Sequence, residues 1–194
     1  DTSSPDLRTQ LTQLPGVAVN GNGLLSGIVQ YRGLFGDRVN VKVDDISITG
    51  AGPNAMDSPL SHVLGSHQEL VLHQGIAPVS VGYETLGGAI EIRDVKPTLS
   101  TTSQWQTQAN LATSYFSNND ARMLGAQVTT AIEQSFVSVQ GQYQDAENYQ
   151  SGNGRHAPST FYERSGFKFT AGHEGEKTAI DVLVGMRNTN ESGT

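Results

Sequence analysis

The chain has no cysteine among its 194 residues. Disulfide bonds, thiolate-held zinc and thiol nucleophiles are therefore excluded. Basic residues are few: 12 Lys+Arg stand against 19 Asp+Glu, a net charge of −7. They form no cluster along the chain, and phosphate neutralisation needs lysine and arginine in groups, which argues against a nucleic-acid partner. Long apolar runs are missing as well. The longest extend three or four residues, far short of the ~20 needed for a membrane-spanning helix. A barrel wall escapes that test, because its strands alternate apolar and polar residues. The start, Asp1-Thr2-Ser3-Ser4-Pro5, has neither the basic nor the apolar region of a leader, so the chain reads as mature or trimmed further. Hydrophobic content is 36%, below the usual value of about 45–50%, a figure that counts glycine. The 22 glycines close most of that gap.

Residues 1 to about 98 read as a compact α+β unit, a small mixed sheet with short helices. Asp6 to Leu14 is a helix candidate: Ser4 or Asp6 caps it, Leu7, Leu11 and Leu14 share a face, and Pro15-Gly16 stops it. Val17 to Val19 is a brief strand and Asn20-Gly21-Asn22-Gly23 a turn. Gly27–Arg32 and Val39–Ile48 are strands across Gly36-Asp37; in the second, Val39, Val41 and Val43 alternate with Asn40, Lys42 and Asp44, a half-buried pattern. Met56 to Leu64 contains a helical turn starting near Pro59. Glu69–His73 and Ala89–Arg93 complete the strands.

Beyond Thr101 a different pattern takes over. Leu124, Ala126, Val128, Thr130 and Ile132 oppose Met123, Gly125, Gln127, Thr129 and Ala131; Val137, Val139, Gly141 and Tyr143 oppose Ser138, Gln140, Gln142 and Gln144. Phe167, Phe169 and Ala171 alternate with Lys168 and Thr170, and Ile180, Val182, Val184 and Met186 with Asp181, Leu183 and Gly185. An apolar row backed by Gln, Ser, Thr and Gly is the pattern of an outer-membrane barrel, with lipid outside and water inside. Loop lengths agree in parity: Glu133-Gln134 and Glu174-Gly175-Glu176 are short turns at one end, and the segment from Glu147 to Phe161 is a long loop at the other. This gives about five antiparallel strands over 99–194. An open sheet of that size leaves edge groups unsatisfied in lipid, whereas plugged transporters close with ~22 strands. The chain is accordingly a fragment, or one piece completed by a further barrel segment or another chain.

The first unit carries an ordered set of motifs: Leu14-Pro15-Gly16-Val17, Tyr31-Arg32-Gly33, Gly36-Asp37-Arg38-Val39, Val43-Asp44-Asp45-Ile46, Gln74-Gly75-Ile76-Ala77-Pro78, Gly82-Tyr83 and Leu86-Gly87-Gly88-Ala89-Ile90. In that order they resemble the plug domain of TonB-dependent outer-membrane receptors. The resemblance covers residues 10 to 96 by motif and the remainder by alternation alone. It implies a plug domain over 1–98 and barrel strands over 99–194. It further implies a bacterial outer-membrane location, contact with lipid, a TonB-type energy-transducing partner, and import of a scarce ligand such as a metal chelate, haem, cobalamin or oligosaccharide. A TonB box is not recognisable ahead of the plug. The alternatives are a receptor-derived plugged scaffold in a surface or secretion assembly, without import, and, more remotely, a soluble periplasmic binding protein.

The same resemblance singles out Arg32. In the family this arginine joins a second one in a lock against two barrel glutamates; the second position is Gln74 here, so the four-charge lock cannot form as in the pattern. The local alternative pairs Arg32 with Glu84. Gly52 to Leu60 is similar to a ligand-facing plug loop, which makes Asn54, Met56 and Asp57 candidates for ligand contact. Met56 with His62 is a weak soft-metal pair, because a cysteine that copper receptors would want is replaced by Gly52, and the spacing to His62, His67 and His73 fits no compact metal pair. Enzymatic readings fail. Asp44 and Asp45, adjacent on a strand, would point to opposite faces. Gly21-x-Gly23-x-x-x-Gly27 misses the dinucleotide spacing, and no serine sits in a nucleophile elbow. No cofactor is expected.

Overall fold

A computed structural model describes residues 7–22, 26–48, 60, 63, 68–83, 85–100 and 103–192. The chain divides into two compact units, one ending at Asp94 and the other running on from Val95.

The first unit begins with helix α1 (Leu7–Thr12), whose Leu11 is fully buried. Leu7 and Leu14 pack beside it on the same core, as the i, i+4, i+7 spacing requires. Strands β1 (Val17–Asn22), β2 (Ser26–Tyr31) and β3 (Leu34–Phe35) form an antiparallel sheet in sequence order. The turn expected at Asn20-Gly21-Asn22 belongs instead to β1, because Asn20 pairs with Ile28, Gly21 with Gly27 and Asn22 with Ser26. Ladder hydrogen bonds here outweigh the local turn preference of Asn-Gly.

A second sheet has the order β5-β4-β7-β6, from β4 (Asn40–Val43), β5 (Ile46–Ser47), β6 (Gln68–Gln74) and β7 (Gly88–Asp94). It is mixed: β4 and β7 run parallel, with Val41 beside Ile90 and Val43 beside Ile92. The single strand expected over Val39–Ile48 is in fact a hairpin. Asp44 (φ 47) and Asp45 (φ 67) form its two-residue loop. Two successive positive φ angles mark the loop that matches strand twist, and aspartate tolerates that region better than most residues. The adjacent-strand argument applied to this pair therefore does not hold, since both residues lie in the turn. Strand β4 is also buried on both faces rather than half-buried: Val41 and Val43 enter the core while Asn40, on the other face, is fully buried. On the face of Asn40 and Lys42 the strand is covered by the segment Val79–Val81, to whose Val81 and Ser80 carbonyls the two side chains donate. Val17, Val29, Tyr31, Val39, Ile90 and Ile92 complete the core with Leu11. The helical turn expected over Met56–Leu64 falls almost wholly outside the described residues.

The second unit is a five-stranded antiparallel meander of β8 (Gln106–Phe116), β9 (Ala121–Ile132), β10 (Ser135–Ala146), β11 (Tyr162–Glu174) and β12 (Ala179–Ser192), each strand paired with its neighbour in sequence. The register draws continuous rows across it. Ala109, Val128, Val139, Phe169 and Val184 lie side by side, as do Leu111, Ala126, Gly141, Phe167 and Met186. One step along each strand, Asn110, Gln127, Gln140, Lys168 and Gly185 form the row on the opposite face. Burial is inverted relative to a water-soluble sheet. Val128, Val139 and Val184 are 49%, 50% and 55% exposed, whereas Gln127, Gln140 and Lys168 are 6%, 4% and 1% exposed.

Candidate functional site

Arg32 is not at the end of a strand but in the two-residue loop joining β2 to β3, with Gly33 beside it (φ 49 and 79). The Arg-Gly motif thus has a local structural cause: the hairpin needs two left-handed residues, and glycine supplies the second without strain. The Arg32 backbone N–H donates to the Gly16 carbonyl at 2.9 Å, which ties this loop to the Leu-Pro-Gly-Val motif. The side chain is exposed, and its guanidinium lies 5.1 Å from the centre of the Tyr31 ring. That contact is a cation–π pair within one hairpin. Glu84, the proposed local partner, lies outside the described residues.

A polar network that sequence reading missed crosses β4, β7 and β6. Glu91, buried on β7, receives His73 Nε2 at 2.8 Å and Lys42 Nζ at 3.6 Å. The same ammonium reaches Asp45 Oδ1 at 3.1 Å and donates to the Ser80 carbonyl at 3.1 Å. Asn40 Nδ2 donates to the Val81 carbonyl at 3.1 Å. The segment after β6, including the 3-10 turn Val79–Val81, is therefore fastened to β4 by two side-chain donors. A buried carboxylate needs compensation by charge or hydrogen bonds, and His73 and Lys42 supply it. Nothing in the sequence announces this cluster, because Lys42, His73 and Glu91 meet only through the order of the sheet. Nearby, Tyr83 is held above its usual pKa, first by partial burial and then by the Asp37 carboxylate. The Gly-Gly motif has a steric cause: Gly88 sits at φ +93, and a Cβ there would lie 2.1 Å from the His73 carbonyl oxygen.

In the second unit the loop 147–161 is folded on itself. Ser151 N–H and Oγ both bond the Arg155 carbonyl, at 2.8 and 2.7 Å, and Ala157 N–H bonds the Tyr149 carbonyl at 2.9 Å. It is fastened to the neighbouring turn by Glu147 N–H to the Asn119 carbonyl (2.9 Å) and Gln150 N–H to the Asn118 carbonyl (3.0 Å). A cavity of about 360 Å³ lies at its base, lined by Asp145, Glu147, Asn148, His156, Phe161 and Glu163 among others. Asp145 and Glu163 face one another directly across β10 and β11, and Asn190 Nδ2 donates to Glu163 Oε1 at 2.6 Å.

Asn54, Met56, Asp57 and His62 lie outside the described residues, as does His67. His73, read together with them, is engaged with Glu91 instead. Among the described residues no three His, Asp or Glu side chains come together as metal ligands, and Ser135 Oγ meets His173 Nδ1 at 2.9 Å at the exposed end of the β10–β11 pair.

No family model and no curated protein matches the sequence. Solved structures do match the fold. The copper transporter OprC superposes with a TM-score of 0.82 at 23% identity, covering 97% of this chain and 29% of that one. The FrpB iron transporter from Neisseria meningitidis superposes with a TM-score of 0.67 in its F5-1 apoprotein form, at 17% identity, over 97% of this chain and 30% of that one. Its F3-3 variant gives 0.67 at 18% identity. The chain therefore spans less than a third of the length of the transporters it matches. It has the fold of a portion of these metal transporters, in keeping with the resemblance of its motifs to TonB-dependent outer-membrane receptors.

Proposed function

We propose that the chain is the plug and first wall strands of a TonB-dependent receptor in a bacterial outer membrane, which imports a scarce, large ligand through a plugged barrel. The observation that carries this reading is the inversion of burial in the three central strands of the sheet, β9 to β11. Valine and phenylalanine cover one face and are exposed, while glutamine, threonine and lysine on the other are buried. Only an apolar surrounding makes that arrangement favourable, since full burial of an aliphatic side chain is worth about 1.5–3 kcal/mol and each half-exposed one forfeits roughly half of that in water. Dimensions support it. The apolar rows run from Ile180 to Met186 on β12 and from Val137 to Tyr143 on β10. With flanking residues they span about eight steps of ~3.4 Å, or roughly 20 Å along the membrane normal at a tilt of about 40°, close to the ~25 Å apolar band of outer-membrane barrels. The two-residue turn Glu133-Gln134 at one end and the loop 147–161 at the other match short periplasmic turns and longer outer loops.

In this reading the first unit is the gate. Its exposed Arg32 pairs with carboxylates of barrel wall outside this chain, and the energy-transducing partner rearranges it. The ligand classes are those of the receptors it resembles: a metal chelate, haem, cobalamin or an oligosaccharide. The test uses the full-length protein in its native membrane. It should fractionate with the outer membrane, migrate faster unboiled than boiled in detergent gels, and support uptake that stops when the TonB-type partner is deleted. Outer-membrane location with no partner-dependent uptake of any of these classes would instead support a scaffold, and a water-soluble protein would refute both.

A further inference from the structure

The tip of the loop 147–161 reads Ser151-Gly152-Asn153-Gly154. Asn153 and Gly154 are both exposed. Gly154 holds φ +81, and its chain neighbours aside no heavy atom lies within 4 Å of the place a Cβ would take. The Asn153 carboxamide is folded over the following peptide, where its Oδ1 accepts the Arg155 N–H at 3.2 Å. A side-chain carbonyl that reaches the amide two residues on carries its Cγ alongside the amide in between, here that of Gly154. The Ser151 hydroxyl lies 2.6 Å from the same Oδ1 and 2.7 Å from the Arg155 carbonyl, sharing its proton between them. Oδ1 thus faces two donors, the arrangement that stabilises an oxygen gaining negative charge. One bond holds the Gly154 nitrogen back: its N–H donates to the Ser151 carbonyl at 2.8 Å. A single turn bond in an exposed loop opens locally at little cost. The pair Asn20-Gly21 is the internal comparison. Asn20 is exposed as well, but both residues are held in β1, opposite Ile28 and Gly27. In a strand the side chain stands perpendicular to the sheet, so the Asn20 carboxamide is kept from the Gly21 nitrogen.

We infer that Asn153 is a site of spontaneous covalent modification, converting to aspartate and isoaspartate through a cyclic imide with Gly154. Hydroxide removes the Gly154 amide proton, and the nitrogen attacks Asn153 Cγ. The new N–C bond forms as charge gathers on Oδ1, between its two donors. Collapse breaks the Cγ–Nδ2 bond, and Nδ2 leaves as ammonia with a proton taken from water, which restores the hydroxide. Water then opens the ring at either carbonyl. Cleavage on the side-chain side gives aspartate, and cleavage on the main-chain side gives isoaspartate. In sum one water is consumed and one ammonia released, with no change of oxidation state. Either product adds a negative charge to a loop whose base already carries Asp145, Glu147 and Glu163. Isoaspartate also routes the main chain through the former side chain, which undoes the turn from Ser151 to Gly154. The inference holds whether or not the second unit is a barrel wall.

The experiment incubates the full-length, folded protein in neutral and in mildly alkaline buffer and then digests it under acidic conditions. The peptides containing Asn153 and Asn20 are followed by mass and by chromatographic separation of their isoaspartyl forms. In the folded protein Asn153 should convert about tenfold faster than Asn20 or more, because its reacting atoms are already side by side. The rate should rise with pH, since hydroxide takes the amide proton. In denatured protein the two asparagines should convert alike, because both precede glycine. Hydroxylamine, which captures the imide, should cleave the folded chain between Asn153 and Gly154 and spare the bond between Asn20 and Gly21. Gly154→Ala should slow conversion about tenfold, since a β-carbon crowds the attacking nitrogen. If that variant does not fold, hydroxylamine cleavage of the unmodified protein decides. Conversion at Asn153 no faster than at Asn20 in the folded protein, no hydroxylamine cleavage after Asn153, or a rate untouched by Gly154→Ala would overturn the inference.

Discussion

Replacing Val139 by arginine separates a lipid-facing sheet from a water-facing one by free energy alone. Val139 lies on β10, between Val128 and Phe169 in the cross-strand row, and is 50% exposed. In water, arginine at a half-exposed strand position with no polar or charged partner to lose changes stability by no more than about ±0.5 kcal/mol. In lipid the outcome depends on depth. The apolar rows extend from Val137 to Tyr143 on this strand, with Ser135 below and Asp145 above, so Val139 sits within about one residue step, ~3.4 Å, of the middle of the band. At that depth an arginine costs about 2–4 kcal/mol, whereas near the interface it costs about 0–1. Tyr143→Arg, two rows towards the charged end, is therefore the internal control. The assay is equilibrium unfolding of the full-length receptor in lipid vesicles with denaturant, read by the loss of heat-modifiable gel mobility. Val139→Arg should lose about 2–4 kcal/mol and Tyr143→Arg less than about 1. Equal effects at the two positions, or no effect at Val139, would refute the assignment of this face to lipid.

Asn40→Ala removes the donor to the Val81 carbonyl while leaving the strand apolar, and should cost about 1–3 kcal/mol in denaturant unfolding of the first unit within the full chain; an unchanged midpoint would mean that the 75–83 segment is held by other means. Gly88→Ala places a Cβ 2.1 Å from the His73 carbonyl oxygen at a positive φ, so a loss above about 2 kcal/mol is expected, seen as protease sensitivity of the first unit with the barrel intact. Because Tyr83 has a raised pKa in the folded state, its contribution is complete below the unfolded value and is lost as pH rises through the folded one. Stability should therefore fall on the alkaline side above about pH 10, and Tyr83→Phe should flatten that limb in melts across pH. Arg32→Ala should change unfolding of the first unit by about 1 kcal/mol or less if only the Tyr31 ring contact is lost, yet raise passive leak of small solutes through the full receptor if the arginine also locks plug to wall; a larger stability loss without leak would place its role inside the hairpin.

The second unit was readable from sequence because period two is a strong local signal and neighbouring strands pair in order. Every strand end there falls where a turn residue or a change of pattern stands, such as Glu133-Gln134 between β9 and β10. The first unit was less readable for two reasons. From Val39 to Ile48 the apolar residues move from odd positions (39, 41, 43) to even ones (46, 48) at Asp44-Asp45. That slip of phase marks the hairpin turn with its two positive φ angles, and reading the segment as one strand passed over it. The parallel pairing of β4 with β7 joins residues about fifty apart, which no window of local sequence reports. The same distance hid the Lys42–Glu91–His73 network. Arg32 was singled out by motif and read as a strand end; the geometry makes it a loop residue, which explains why glycine must follow it.

Exposure of apolar residues is not by itself what marks the wall. The first unit also exposes Ile76, Val79 and Leu86, at 88%, 88% and 82%, more fully than any valine of the meander, and isolated exposed aliphatics of that kind are ordinary. The difference lies on the other side of the backbone. Behind Val128, Val139 and Phe169 the chain buries Gln127, Gln140 and Lys168, side chains that a water-soluble sheet would have turned outwards at no cost. A one-residue slip of register would exchange the two faces completely, so the choice is made by the surroundings and not by the backbone. Sequence alternation reports that two faces differ; in the proposed barrel wall it is the burial of the polar row that assigns the other face to lipid.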